Sequence, residues 1–333
     1  MSLRIPLCVP LLAATLLQAS HLAGAEFGNV PRTRQHVDMV LPPELDSTAV
    51  AAQTPEYDYW TVQVTLNGQK LRLVVDTGAE ATFLSPKAAM KCGLKDAFGH
   101  GFESPPGGFQ RVAANPAKIA RMDVGAITVS NLEALVCDLQ APDWIEGLLG
   151  TDLFTQFLVE FDPERGRIVF WNSTKFRDPP DAAILPLRAS GSPVVLTTEV
   201  RIGEISVPAM LDTGHPGFFV LTPGFFQAHR LEEIGEKIPF PPELGRLSHE
   251  GECLQLRSVT FGKWKLEKVP GVLPRKENRF GQLPVSAALC GALLSRYHCY
   301  YDLPKGRLLV TALTKAPVLG SARPSSPGVS NER

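Results

Sequence analysis

The sequence predicts an all-β protein built from two homologous domains in one chain, and three observations carry that reading. Two runs of alternating apolar residues form hairpins that end in the same tripeptide, Asp76-Thr77-Gly78 and Asp212-Thr213-Gly214. Two later segments also match: GLLGTDLFTQFLVEFDPERGRIVF at Gly147–Phe170 and ALCGALLSRYHCYYDLPKGRLLV at Ala288–Val310. The offset between copies is 136 residues at the tripeptides and 140 between Asp162 and Asp302. A near-constant offset of that length marks duplication of a whole domain, since solenoid repeats are far shorter.

The elements follow in order. Residues 1–25 carry Arg4, an apolar run from Leu7 to Leu17 and then Ala23-Gly24-Ala25. A positive charge, a short apolar core and alternating small residues are the pattern of a cleavable secretory signal. A secreted or periplasmic location is therefore expected, and no later stretch is long and apolar enough for a membrane helix. Residues 26–56, with Pro42-Pro43, read as a leader arm. The first domain is expected over 57–173, a linker over 174–190 and the second domain over 191–313. The Pro/Ser/Gly-rich segment 314–333 reads as a disordered tail.

Within the first domain, Val62, Val64 and Leu66 alternate, Asn67-Gly68 turns the chain, and Leu71, Leu73 and Val75 alternate again. In the second, Leu196, Thr198, Val200 and Ile202 precede a turn at Gly203 and a return strand leads into Leu211. Each tripeptide is followed by a short apolar strand and then by Ser85-Pro86 or Thr222-Pro223. A hydroxyl followed by proline is a helix start, with the hydroxyl as N-cap and proline in the first turn.

Composition narrows the function. The chain has 33 Lys+Arg against 34 Asp+Glu, for a net charge of −1, so the usual electrostatic case for nucleic-acid or polybasic membrane binding is missing. Beyond the signal, Cys92, Cys137, Cys253, Cys290 and Cys299 form an odd set without metal-like spacing. A Cys92–Cys137 bridge and buried free thiols both remain open. His298 beside Cys299 has no partner cluster in the sequence and reads as part of a core strand. No metal or cofactor site is expected, and no G-x-S-x-G, phosphate loop or dinucleotide fingerprint is present.

The repeated Asp-Thr-Gly is what remains. Each aspartate follows apolar residues, Val74-Val75 or Met210-Leu211, so each carboxylate lies at the end of a buried strand. A carboxylate there is costly without hydrogen-bond partners or a chemical task. DTGAEATFL at Asp76–Leu84, followed by Leu148-Leu149-Gly150, resembles the retropepsin-like aspartic peptidase domain. The resemblance covers about residues 57–171, and a weaker copy covers about 190–311. It implies two acid-protease barrels related by a pseudo-twofold axis, as in pepsin-like enzymes, and an aspartic endopeptidase acting on a peptide or protein substrate.

The resemblance assigns roles residue by residue. Asp76 and Asp212 would be the catalytic pair, sharing one proton and activating a water. Gly78 and Gly214 would let the backbone turn and offer N–H groups, Thr77 and Thr213 would bond across the interface, and Gly150 and Gly291 would close the supporting loops. Gly107, Gly108 and Phe109 are the candidate flap over the substrate, against the alternative of an ordinary surface loop. His215 stands where relatives often carry a hydroxyl beside the catalytic carboxylate, and is the candidate modulator of the pair.

The second copy departs from the pattern, with His215-Pro216-Gly217-Phe218 after its tripeptide and Cys290 in the supporting loop. That departure keeps open a non-catalytic peptide-binding protein on the same fold. A monomer acting as an intramolecular pseudo-dimer is expected, against a pairing of first lobes from two chains.

Overall fold

Alternation builds the first hairpin. In Thr61–Leu66 and Gln69–Val75 the apolar positions point inward, and Asn67 and Gly68, at φ 48° and 81°, make the tight turn between them. The second hairpin, Val195–Ile202 with Ile205–Asp212, turns through Gly203 at φ 60°. The computed structural model describes residues 37–53, 59–95, 115–139, 144–190, 195–247, 251–274 and 285–314.

Each hairpin is followed by the same arrangement. After the first Asp-Thr-Gly come the strand Phe83–Leu84 and the helix Pro86–Lys91, with the Ser85 hydroxyl accepting from Ala88 N–H at 3.2 Å. After the second come Phe219–Leu221 and the helix Pro223–Ala228, capped in the same way by Thr222, which accepts from Phe225 N–H at 3.2 Å. A later strand then inserts between the outgoing and returning segments. Gly147–Leu149 runs parallel to Leu73–Val75 and antiparallel to Phe83–Leu84. Ala287–Cys290 runs parallel to Ala209–Asp212 and antiparallel to Phe219–Leu221. Both tripeptides are therefore held between the same pair of neighbours, and the duplication read from sequence is a duplication of topology.

The lobes are joined by one antiparallel sheet. Its order is Ala183–Pro186, Arg307–Ala312, Tyr297–Asp302, Phe157–Asp162, Arg167–Asn172 and Ser47–Gln53. At its centre Leu158 pairs with Asp302, Glu160 with Tyr300 and Phe161 with Cys299. Glu160 and Tyr300 are separated by the repeat offset, so the pseudo-twofold axis passes between them. Side chains alternate across the strands. On the inner face Trp60, Phe154, Phe161 and Tyr301 pack edge to face, with centroid separations of 5.3 Å for Phe161–Tyr301 and 5.5 Å for Trp60–Phe161. That cluster underlies the Asp-Thr-Gly loops, and the Tyr301 hydroxyl approaches Thr77.

Two segments depart from the sequence reading. Part of the expected arm 26–56 is strand: Asp38–Val40 pairs with Ile127–Ser130, and Ser47–Gln53 pairs with both Arg167–Asn172 and Thr61–Leu66. The expected linker 174–190 contains Ala183–Pro186 and Arg188–Ser190, each of which adds an edge strand. Both segments are short, and their order comes from long-range partners. Among the described residues all five cysteines are buried and unbridged, and no helix is long and apolar enough to cross a membrane.

Candidate active site

The two Asp-Thr-Gly loops meet face to face at the pseudo-twofold axis. Asp76 is aimed by its strand: its N–H donates to Leu149 C=O at 3.0 Å, and Val75 N–H donates to Trp60 C=O at 2.7 Å. Asp212 ends the strand Ile205–Asp212, in register with Cys290.

Reciprocal bonds through Thr77 and Thr213 lock the loops together. Thr77 N–H donates to Thr213 Oγ1 at 3.0 Å, and Thr213 N–H donates to Thr77 Oγ1 at 3.0 Å. Each hydroxyl then donates onward to the other lobe, Thr77 to Leu211 C=O at 2.8 Å and Thr213 to Val75 C=O at 2.7 Å. Three buried polar groups per lobe are thereby satisfied by the partner lobe, so neither loop holds this geometry alone.

The carboxylates face each other above this lock. Oδ1 of Asp76 and Oδ1 of Asp212 both lie within 3.0 Å of one point, the position a Cβ on Gly78 would occupy. A Cβ on Gly214 would stand 2.4–2.5 Å from the Asp76 carboxyl group. Glycine at both positions is therefore a requirement of space: any side chain would displace one of the carboxylates.

Hydrogen bonding of the pair is unequal. Asp76 Oδ1 accepts from Gly78 N–H at 2.7 Å, while its Oδ2 takes no bond from an N–H or hydroxyl. Asp212 Oδ1 accepts from both Gly214 N–H and His215 N–H at 3.0 Å. Burial pushes the Asp76 carboxyl well above the usual carboxylate range, and the like charge of Asp212 adds to it. Burial also raises Asp212, opposed first by the His215 ring when protonated and then by the Gly214 and His215 N–H groups. The two titrate as a pair, and the shared proton favours Asp76.

The supporting loops close beneath. Gly150 packs so tightly that a Cβ would be 2.2 Å from Ala81 C=O, and Thr151 N–H donates to Ala79 C=O at 2.9 Å. In the second lobe Gly291 N–H donates to His215 C=O at 2.8 Å and Ala292 N–H to Gly217 C=O at 3.1 Å. The His215 side chain turns so that Nδ1 accepts from Gly217 N–H at 2.9 Å, and it is the His215 backbone N–H that bonds the Asp212 carboxylate. Phe218 and Phe219 are core residues. Gly107, Gly108 and Phe109 lie outside the described residues.

A half-buried polar pair in the first lobe has only a faint sequence signal. Asp152 accepts from Thr82 N–H at 2.7 Å and from Thr82 Oγ at 3.0 Å, tying the loop after Gly150 to the loop after Gly78. Its signal was an acid two places beyond Leu148-Leu149-Gly150. The duplicated positions in the second lobe are Phe218 and Leu293, both buried and apolar. The departure after the second tripeptide thus puts apolar residues at both positions that carry the polar pair in the first lobe.

Burial pushes the Asp152 carboxyl up to about 6, against the Thr82 and Leu153 N–H groups. A raised folded value means that the native state holds this proton more tightly than the unfolded chain. The associated stability is present below about pH 4 and is lost as pH rises through about 6. At about 1.4 kcal/mol per unit this amounts to about 3 kcal/mol. Asp152→Asn, which does not titrate, is expected to lose this part of the pH dependence. Urea unfolding of both forms at pH 4, 5, 6 and 7 checks it: the wild-type curve should fall relative to the variant across that window.

The family model described as aspartyl protease matches residues 62–153, which hold the first hairpin, the first Asp-Thr-Gly and the Leu148-Leu149-Gly150 loop. Among solved structures, basic 7S globulin from soybean is similar at a TM-score of 0.44 and 13% identity, covering 80% of this chain and 95% of that one. No curated protein matches the sequence. Residues 62–153 are therefore similar to the aspartyl protease family, and the described residues form an all-β fold of two lobes that repeat one topology.

Proposed function

We propose that the chain is an aspartic endopeptidase in which Asp76 and Asp212 hydrolyse a peptide bond. The observation that supports this reading best is the pair of buried carboxylates facing one point, Asp76 held by one N–H donor and Asp212 by two. Two like charges so close cannot both ionise readily, so one proton is retained between them.

The chemistry follows from the asymmetry. With the proton on Asp76, the Asp212 carboxylate takes a proton from a water as the water oxygen bonds to the scissile carbonyl carbon. Asp76 gives its proton to the carbonyl oxygen, forming a gem-diol. Collapse returns a hydroxyl proton to Asp76, breaks the C–N bond and moves the Asp212 proton to the leaving nitrogen, so the pair ends as it began. Thr77 and Thr213 hold the two carboxylates in position, and Gly78 and Gly214 make room for them. Because both loops belong to one chain, the working unit is a monomer. The N-terminal pattern supports export, with hydrolysis in a secreted or periplasmic setting.

Incubating the protein with a mixed peptide library from acid to neutral pH, with and without a pepstatin-type inhibitor, tests the reading. Internal cleavage that the inhibitor abolishes supports it. Peptide capture without cleavage at any pH would favour the non-catalytic peptide-binding reading instead.

A further inference from the structure

On the outer face of the interlobe sheet, away from the carboxylate pair, the structure gathers a second polar cluster. Glu160 and Asp162 come from the strand Phe157–Asp162 of the first lobe, and His298 comes from Tyr297–Asp302 of the second. These residues are 138 and 136 positions apart and meet only because the two strands pair. One ligand atom from each lies within 4.8 Å of the other two.

The imidazole is the informative member. Its side chain is 9% exposed, its Nε2 is 3.2 Å from Glu164 Oε2, and its Nδ1 has no hydrogen-bond partner. That nitrogen faces Glu160 Oε1 at 3.8 Å and Asp162 Oδ1 at 3.7 Å. Both separations are too long for hydrogen bonds. With zinc–ligand bonds of about 2.0–2.2 Å they correspond to angles of roughly 115–145° at a metal, wider than tetrahedral, so binding would draw the three groups slightly together.

The surrounding groups are placed as metal sites place them. Glu164 Oε2 lies 3.2 Å from His298 Nε2, placed to accept its N–H, and Glu164 is itself fixed by Thr314 N–H at 2.6 Å and by the Thr314 hydroxyl. A carboxylate behind the histidine sets the tautomer and leaves the Nδ1 lone pair toward the ligand. Trp171 Nε1 pins the other oxygen of Glu160 at 2.7 Å, and Arg167 Nε pins Asp162 Oδ2 at 2.9 Å with Arg165 Nη1 at 3.2 Å. Three acids around the imidazole call for a positive charge at Nδ1, which either a proton or a bound cation supplies.

Pseudo-symmetry shows that the fold does not require this cluster. Asp302 repeats Asp162, and Arg307 Nε binds it at 2.8 Å as Arg167 binds Asp162. Around Asp302, however, the duplicated positions are Leu158 for His298, Tyr300 for Glu160 and Trp171 for Thr311, and Leu158, Tyr300 and Leu309 form a small apolar cluster with Trp171 and Phe176. One corner of the sheet is closed with apolar side chains and the other with a histidine and acids.

We propose that Glu160, Asp162 and His298 form a divalent-cation site of zinc type that ties the two lobes together across the interlobe sheet. The cation takes one nitrogen and two carboxylate oxygens from the protein, with water completing its shell. The site is independent of the hydrolytic reading, and binding rather than activity reports it.

The full chain, stripped with a chelator and then dialysed free of it, is titrated with zinc chloride at pH 7.5 by calorimetry and followed by thermal unfolding. One zinc per chain and a melting midpoint several degrees higher are expected. Glu160→Gln keeps a partner for Trp171 and is expected to abolish both effects, as is His298→Ala. Glu164→Gln, behind the histidine, is expected to weaken zinc by about ten- to a hundredfold. Should His298→Ala fail to fold, Glu160→Gln decides the matter alone. Absence of zinc uptake, or equal uptake by wild type and Glu160→Gln, overturns the proposal and leaves His298 as a protonated ion-pair partner of its three acids.

Discussion

Asp76→Asn is expected to lower kcat/KM by about a thousandfold or more, with the fold intact. Asparagine has the shape of aspartate, and its side-chain oxygen can still accept from Gly78 N–H, the bond that now spans 2.7 Å. What it cannot do is carry the titrating proton that this residue holds above the usual carboxylate range. General acid–base catalysis is worth about a hundred- to ten-thousandfold, and here one group serves in both halves of the reaction. Asp212→Asn is expected to fail in the same way, since its side-chain oxygen keeps the Gly214 and His215 N–H groups. Because each substitution removes the like-charge repulsion from a buried pair, the melting midpoint should hold or rise at neutral pH. Steady-state kinetics with a cleaved peptide, beside a thermal melt of each variant, checks both halves of the expectation.

Thr213→Val should have the largest effect on stability. The hydroxyl accepts from Thr77 N–H at 3.0 Å and donates to Val75 C=O at 2.7 Å, and all of these groups are buried. Valine fills the same volume but leaves both backbone groups without partners, at about 1–3 kcal/mol each. A loss of about 2–5 kcal/mol is expected, accompanied by a fall in kcat because the two carboxylates are no longer held in register. Thr77→Val should behave alike, through Thr213 N–H and Leu211 C=O. Thr213→Ser keeps both bonds and is expected to recover most of the loss. Urea unfolding of the four proteins measures it, and near-equality of the serine and valine variants would show that the lock is packing rather than hydrogen bonding.

The parts of the structure that were legible in the sequence are those written locally. Strand alternation and Asn67-Gly68 marked the first hairpin, and Ser85-Pro86 with Thr222-Pro223 marked two helix starts, because each depends on neighbours within a few residues. Duplication of the Asp-Thr-Gly tripeptide extended that reach, by showing that two distant loops share one frame. Ser47–Gln53 was less legible. Its sequence, STAVAAQ, has weak alternation, and what makes it a strand is pairing on both sides with segments far along the chain. Ala183–Pro186 similarly takes its order from Arg307–Ala312.

Side-chain partnerships across those pairings were hidden for the same reason. Thr82 and Asp152 are 70 residues apart, and His298 and Glu164 are 134 apart. From sequence His298 is an ordinary strand residue, because its acids stand in the other lobe and only the strand register brings them to it. His215 shows the limit of analogy with the neighbouring position in relatives. A hydroxyl there would bond the carboxylate through its side chain, whereas this chain uses the backbone N–H of the same residue and turns the imidazole toward Gly217.

The central claim is that one chain supplies both halves of a single active site. Active-site titration with a tight-binding pepstatin-type inhibitor, at a protein concentration where sedimentation establishes the monomer, tests it most directly. The expected result is complete loss of hydrolysis at one inhibitor per chain, with no binding to Asp76→Asn or Asp212→Asn. An endpoint of one inhibitor per two chains, or full activity in Asp212→Asn, would contradict the intramolecular pair.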